Sequence, residues 1–568
     1  MAERPRELIY ARDERPPALV LLALGFQHVA VICPYLVMVA LVAAAAKLPH
    51  ADARNAMGLA MIAVAFHTVL QSRRLGPVGS GMLCPPVVSA IYLPSAMAAA
   101  SAFGFPVVCG MVVFAGTCEV LVGRILSTFR KFFPPVVSGV VIVAVGLELG
   151  KIGLGVVFAP VISHEPDATA KALTAASVLA TMTGLAVWAK GTFKLLCVLI
   201  GILLGYALAA GLGLFPEGFA ARLSSSPLYA LPDPSFVSYG FEPSLIVPFA
   251  IAGLASGLRA VGVLTTCQKL DDAQWRRPEM RSISGGVVAD GLGCAVGGAL
   301  GAPGMSASPS LVGLERTTGA TSRVIAWSIA GWLLALSLLP KFMTFIVEMP
   351  RPVMGAALFF NGALMLVAGI QIIVSRPVTL RATVIVGFSV LAAFSVLAYP
   401  ELYAALPHWT RQVTGSEITM AVVVSVALNA LFRLGTWDYS QLRLGTDGTP
   451  LTAAAFDRVF AARAREWKIQ DDDARRIRAV VDQAIEAVVP HAQGPVQLRL
   501  GSDSFDVTIQ LSYTGNLPSL PDSAIGNDPV EEQAFVAGLT GYLSGLHADR
   551  MARNARDDQC EIALVFRL

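Results

Sequence analysis

Apolar residues run in long blocks separated by short charged or turn-forming stretches, at residues 17–46, 55–71, 83–101, 104–126, 134–155, 170–189, 193–214, 244–268, 283–301, 304–316, 322–347, 352–375, 381–399 and 417–434. A helix needs about 20 apolar residues to cross the hydrocarbon core of a bilayer. The pattern therefore predicts fourteen membrane segments and an all-α polytopic membrane fold. Two blocks are broken: the third opens with MLCPPVVSA and the tenth with GAPGMSASPSLVG, where Pro and Gly prevent a regular helix. Non-helical backbone is tolerated at membrane depth only where it is buried or lines a cavity. The broken blocks stand third in each set of seven. KFFPPVVSGVV from Lys131 and EMPRPVMGAAL from Glu348 likewise open the fifth and twelfth blocks with Pro, Val and Gly in matching order. Two repeats of seven segments are expected, and an odd number inverts the second copy, so that half-helix ends meet near the midplane.

After Arg433 the pattern changes to alternation and amphipathic helical periods. Residues 1–440 are expected to form the membrane domain, and 441–451 a linker, in the turn-rich region of LGTWDYSQLRLGTDGTP. Residues 452–568 read as a cytosolic α/β domain. Helices are expected over 452–466, 471–489 and 529–553, with paired strands VQLRLG and FDVTIQLSY and a last strand EIALVFRL.

Composition agrees with a membrane protein: 55% of the 568 residues are hydrophobic, 14% are charged, and the mean hydropathy is +0.65. The formal net charge of +3 is small, and Lys and Arg lie in connecting loops rather than in one patch, which argues against nucleic acid as a partner. The eight cysteines show no metal-ligand or disulfide spacing, so no metal site is expected. The start, MAERPRELIYARDERPP, lacks the apolar core of a cleavable signal. Loops with Arg73, Arg74, Arg124, Lys131, Lys269 and Arg281 fall on the side of the N-terminus, which places both termini in the cytoplasm of a bacterial-type inner membrane.

Charges inside the blocks carry the candidate chemistry. Arg259 is the single charge between Leu245 and Cys267. A guanidinium at that depth costs roughly 2.5–3.5 kcal/mol on insertion scales, so it faces a cavity or a partner. Helical spacing sets Ala255, Ser256, Gly262 and Val263 beside it, a face small enough for a solute or a close helix. Ser306, Ser308 and Ser310 alternate, which in extended geometry puts their hydroxyls on one side, next to a helix N-terminus that favours acceptor-rich or anionic solutes. Glu148 suits a snorkelling structural role beside Lys151, and Asp290 either a structural partner, for Arg259 among others, or a proton-coupling group.

Four passages are similar to one family: YARDERPP with GFQHVAV, FRKFFPPVVSGVVIVAVGLELG, TTCQKLDDAQWRRPEMRSISGGVVADGLG, and SPSLVGLERTTGATSR. Together they resemble the nucleobase–ascorbate transporters, the uracil/xanthine permeases, over residues 10–435. The resemblance implies core and gate domains, an elevator-like alternating access, proton symport and no catalytic residues or cofactor. Its implied partners are membrane lipids and a second copy in a homodimer. It also implies a small-molecule solute held between segments one, three, eight and ten. The corresponding positions are Val31; Tyr92; Ser256, Arg259 and Val263; and Ser306, Ser308, Pro309, Ser310 and Leu311. Gln27, His28, Glu119, Asp290 and Thr318 are the implied coupling or structural polar residues. Where relatives place a base-binding Glu in the eighth helix, this chain has Arg259. The acidic or amide residue of the tenth is Ser310, and the Asn after it is Leu311. The expected function is transport of a xanthine-, urate- or uracil-like solute. A carrier of bicarbonate, sulfate or a carboxylate, and a non-transporting sensor signalling through the cytosolic domain, stay open as alternatives. The tail resembles the histidine-kinase-type ATPase fold of anti-sigma factors, with Gln483 and Ala487 where those have Glu and Asn.

Overall fold

A computed structural model describes residues 5, 8–124, 135–165, 167–273, 279–374, 378–405, 417–433, 438–444, 453–467, 469, 471–488, 491–494, 496–502, 506–516, 550–556 and 559–567. The first apolar block forms α1 (Ala18–Ile32) and α2 (Val37–Ala45), joined by a 3-10 turn over Cys33–Leu36. Pro34 lacks the N–H that a continuous helix would use there. The other helices of eight residues or more before residue 434 are α3 (His50–Ser72), α4 (Leu93–Phe103), α5 (Phe105–Arg124), α6 (Pro135–Ile162), α7 (Ala168–Trp188), α8 (Cys197–Leu212), α9 (Ile246–Asp271), α10 (Met280–Ala299), α11 (Pro309–Thr318), α12 (Ile325–Ser337), α13 (Pro340–Val347), α14 (Arg351–Ile373), α15 (Leu380–Ala398) and α16 (Glu417–Arg433).

Among the described residues seven helices are long and apolar enough to cross a membrane, with α1 and α2 taken as one. The pair α12 and α13 would make an eighth, but it bends by 85° ahead of Pro340, so the expected straight eleventh segment is two short helices. The helices fall into two groups. In one, α3 packs against α10 and α12, α5 against α9 and α10, and α1 against α12; in the other, α14 packs against α6, α7 and α8.

The second group is held by a glycine seam. A Cβ added at Gly139, Gly146 or Gly153 of α6 would stand 2.8 Å from the carbonyl oxygen of Gly369, Gly362 or Gly355 of α14. Added Cβ atoms on α14 would meet the α6 carbonyls at 2.7–2.9 Å. Lipid gives little hydrophobic drive for helix association, so close backbone approach of this kind supplies the packing. The same interval along the chain separates Gly139 from Gly355, Gly146 from Gly362 and Gly153 from Gly369. The matching PVVSG and RPVMG passages thus become two helices that pair antiparallel.

At one end of the first group, residues 9–14 clasp the turn between α11 and α12. The Ile9 and Tyr10 N–H groups donate to the Gly319 carbonyl at 2.7 and 3.0 Å. Thr321 N–H donates to Tyr10 O at 2.9 Å, and Arg323 pairs with Asp13 at 2.8 Å. Gly319 ends α11 with φ +63°, a conformation open to glycine without steric cost.

The chain divides into two compact units, Met1–Asn429 and Ala430–Leu568. The second contains an antiparallel sheet in the order β3-β4-β5-β7-β6: β3 (Asp438–Leu444), β4 (Val496–Ser502), β5 (Asp506–Thr514), β6 (Arg550–Arg556) and β7 (Gln559–Arg567). Its helices, α17 (Ala453–Glu466) and α18 (Asp471–Val488), bury Phe456, Phe460, Ile477 and Val481 against Leu498, Leu500, Ile509, Leu511, Leu564 and Phe566. Two expectations change here. The stretch read as a linker contains β3, because Ser440, Leu442 and Leu444 alternate in register with Leu500, Leu498 and Val496 despite the turn formers around them. The helix expected over 529–553 lies largely outside the described residues, and its end, Arg550–Arg556, is a strand paired with β7.

Candidate functional site

The two broken blocks meet. Their extended stretches, β1 (Pro86–Val88) and β2 (Met305–Ala307), pair antiparallel with Val87 opposite Ser306. Ser89 N–H donates to Gly304 O at 3.0 Å, and Ser308 N–H to Pro85 O at 3.4 Å. This small buried sheet satisfies backbone that helices would otherwise satisfy. Each strand then runs into a helix, α4 or α11. Ser308 is the N-cap of α11 and Pro309 its first residue, but the Ser308 side chain does not cap. The positive end of α11 is therefore not neutralised by its own sequence.

Arg259 comes to this junction from α9, half-buried, and its Nη1 donates to Ser89 Oγ at 3.4 Å. Tyr35, in the turn that breaks the first block, has its hydroxyl 3.2 Å from Ser310 Oγ and is close enough to act electrostatically on Arg259. Ser256, one turn earlier on α9, is fully buried, and Val263 packs in a cluster with Met82, Cys84, Ala307 and Val312. The Ser308 hydroxyl has no hydrogen-bond partner among the described residues, and the Ser256 side chain lies beside Tyr92 and Glu119. Pro309 is exposed, while Leu311 and Val31 are buried.

A second polar group lies behind the strands. Asp290 Oδ1 accepts from Ala307 N–H at 3.0 Å and lies 3.0 Å from His67 Nε2, and Oδ2 accepts from Ser306 Oγ at 3.3 Å. The carboxylate is thus spent on β2 and α3. No direct ion pair joins it to Arg259 among the described residues, although the two are close enough to interact electrostatically. Tyr92, fully buried, donates to Glu119 Oε2 at 3.0 Å. Glu119 and Asp290 are close enough to interact, on helices that approach through Gly116 and Gly291.

Three expected polar residues stand apart. His28 Nδ1 lies 2.8 Å from Leu24 O of its own helix, and Thr318 donates to Leu314 O at 2.8 Å. Gln27, half-buried on α1, makes no bond that links it to Arg259 or Asp290 among the described residues. Glu148 pairs with Lys151 at 3.6 Å, and Lys151 also with Glu417 at 2.7 Å, between α6 and α16.

Sequence reasoning missed Tyr35, His67 and Ser89. Pro34 inside the first block is the same signal that marked the third and tenth, and it points to Tyr35. Ser89 is the last residue but one of the quoted stretch MLCPPVVSA. Nothing local distinguishes His67, a histidine among apolar residues late in α3.

The permease-family profile matches residues 19–402. The xanthine permease XanP of Escherichia coli (strain K12) is 27% identical over 452 residues, which cover 75% of this chain and 95% of that protein. The uric acid permease PucK of Bacillus subtilis (strain 168) is 27% identical over 429 residues, covering 74% of this chain and 97% of its own. Among solved structures the chain is similar in fold to SLC26A9, with TM-score 0.51 and 14% identity over 76% of this chain and 68% of that one.

Proposed function

From the premise that the chain belongs to the permease family, we propose that it is a secondary transporter of nucleobase-like solutes, of the xanthine or urate type. The observation that carries this reading is the junction at the α11 N-terminus, where Arg259, Tyr35, Ser89 and Ser310 present donors beside a positive helix end. A guanidinium is a permanent donor and accepts nothing, so the solute it suits is rich in acceptors or anionic, such as urate or deprotonated xanthine. Solute binds between α1, α4, α9 and α11, against Arg259, Ser256, Ser308, Ser310 and Tyr35. Tyr92 acts instead through Glu119.

Fourteen segments in two inverted halves accommodate the helices, with the group around α9, α10 and α11 as the core and that around α6 and α14 as the gate. Both termini lie in the cytoplasm. The pair Glu119 and Asp290, with His67, supports proton coupling, because a proton taken up there changes the bonds that hold β2 beside the solute. The cytosolic unit is regulatory.

Purified protein tested by thermal shift against nucleobases and small anions, and uptake of labelled xanthine or urate competed by uracil, bicarbonate and dicarboxylates, test the reading. Stabilisation and competition by purines support it; response to inorganic anions or carboxylates alone favours the anion carrier, and binding without uptake the sensor. Arg259→Ala is expected to weaken binding of an anionic purine about 10- to 100-fold, the range of a lost hydrogen bond to a charged group. Unchanged affinity in folded protein would remove Arg259 from the site.

A further inference from the structure

At the end of the first group opposite to the clasped residues 9–14, three charged or titratable side chains from separate parts of the chain converge. His50 opens α3, and its Nδ1 lies 2.9 Å from Glu348 Oε1. Arg222, in the short helix Phe219–Ser225 that follows α8, grips the same carboxylate by two bonds of 2.8 Å, Nε to Oε1 and Nη2 to Oε2. Glu348 itself stands in the joint between α13 and α14, where the chain passes from the first helical group to the second. The three rim a cavity of about 680 Å³ whose walls come from both groups, including Ala40 and Leu41 of α2, Ile152 and Val156 of α6, and Met354 of α14. This cavity is the cleft between the groups, and the triad ties its two sides together.

We propose that His50, Glu348 and Arg222 form a latch that holds this mouth of the cleft closed. Paired bonds between a guanidinium and a carboxylate fix geometry as well as charge. Glu348 has only 11% of its side chain exposed, so removing one partner leaves a poorly solvated charge. Burial raises the Glu348 pKa, but the bonds from His50 and Arg222 outweigh burial and hold it below the ordinary carboxylate range. The carboxylate half of the latch is therefore lost only when pH falls through that lowered value.

The other groups around the latch have fixed roles. Arg351 of α14 lines the cavity, Arg54 donates to Ser226 Oγ at 3.5 Å, Glu217 offers its carbonyl to Arg222 Nη2 at 2.6 Å, and Tyr206 donates to Phe345 O. Asp52 and Lys47 lie on or beside the first turn of α3.

The latch is tested without solute, so its failure and a failure of the transport reading are separate results. Ala40, 3% exposed on the cavity wall, is replaced by Cys in the full chain, and its alkylation by a maleimide in detergent is followed at that residue by mass spectrometry. Glu348→Gln is expected to raise the rate about tenfold, the effect of losing one well-placed charged hydrogen bond. Arg222→Ala is expected to match it, with melting temperature and elution volume reporting that both variants fold. His50→Ala is expected to raise the rate as well. Equal rates in parent and Glu348→Gln would overturn the latch. An unchanged rate in His50→Ala would overturn the part given to His50.

Discussion

Arg259 and Tyr35 reach the same few cubic ångströms by different routes, one on a continuous helix and the other on a turn made by a proline. Tyr35→Phe removes the hydroxyl that meets Ser310 and leaves the ring in place. A neutral hydrogen bond contributes about 0.5–1.5 kcal/mol, so solute affinity is expected to fall about two- to tenfold. Titration calorimetry on purified protein checks this, and an unchanged Kd would restrict Tyr35 to packing. Arg259 was legible in the sequence because one charge in an apolar block is conspicuous. Its neighbours were less so: Ser89 comes from a residue 170 positions away, and no local pattern joins them. Asp290 was legible as a buried acid, yet its actual partners, Ala307 N–H, Ser306 and His67, depend on how α3 and β2 pack.

Helices and strands show a similar division. The breaks in the third and tenth blocks were readable because Pro and Gly act on the backbone directly, and the structure places a strand at each. The bend between α12 and α13 falls at Pro340, which carries the same signal inside an apolar run read as one segment. In the second unit β3 escaped notice because its alternation is flanked by turn residues, whereas α18 declared itself by its period. The glycine seam allows a sharper test. Gly362→Val adds branched volume where a Cβ already stands 2.8 Å from the Gly146 carbonyl. Overpacking of this kind costs about 1–3 kcal/mol, so a lower melting temperature is expected, while Gly331→Ala, which meets open space, serves as the neutral control. Equal stability of the two variants would mean that the seam can part cheaply.

For the whole molecule, the membrane unit Met1–Asn429 is compact without the sheet that follows it. A chain ending after Arg433 is therefore expected to assemble and to keep solute uptake in proteoliposomes. Normal assembly with complete loss of flux would show that the tail is required for the transport cycle. The clasp of residues 9–14 has a bearing on how the molecule is made. Ser322 donates to the Glu14 carbonyl across 308 residues of sequence. A contact so distant in sequence forms late, after the intervening chain exists. During synthesis the first helices must wait in the bilayer, with their leading segment unsecured, until more than half of the protein has been translated. Closure of the first helical group is then a late event in biogenesis, and an unclasped N-terminal segment marks a chain that has been inserted but not finished.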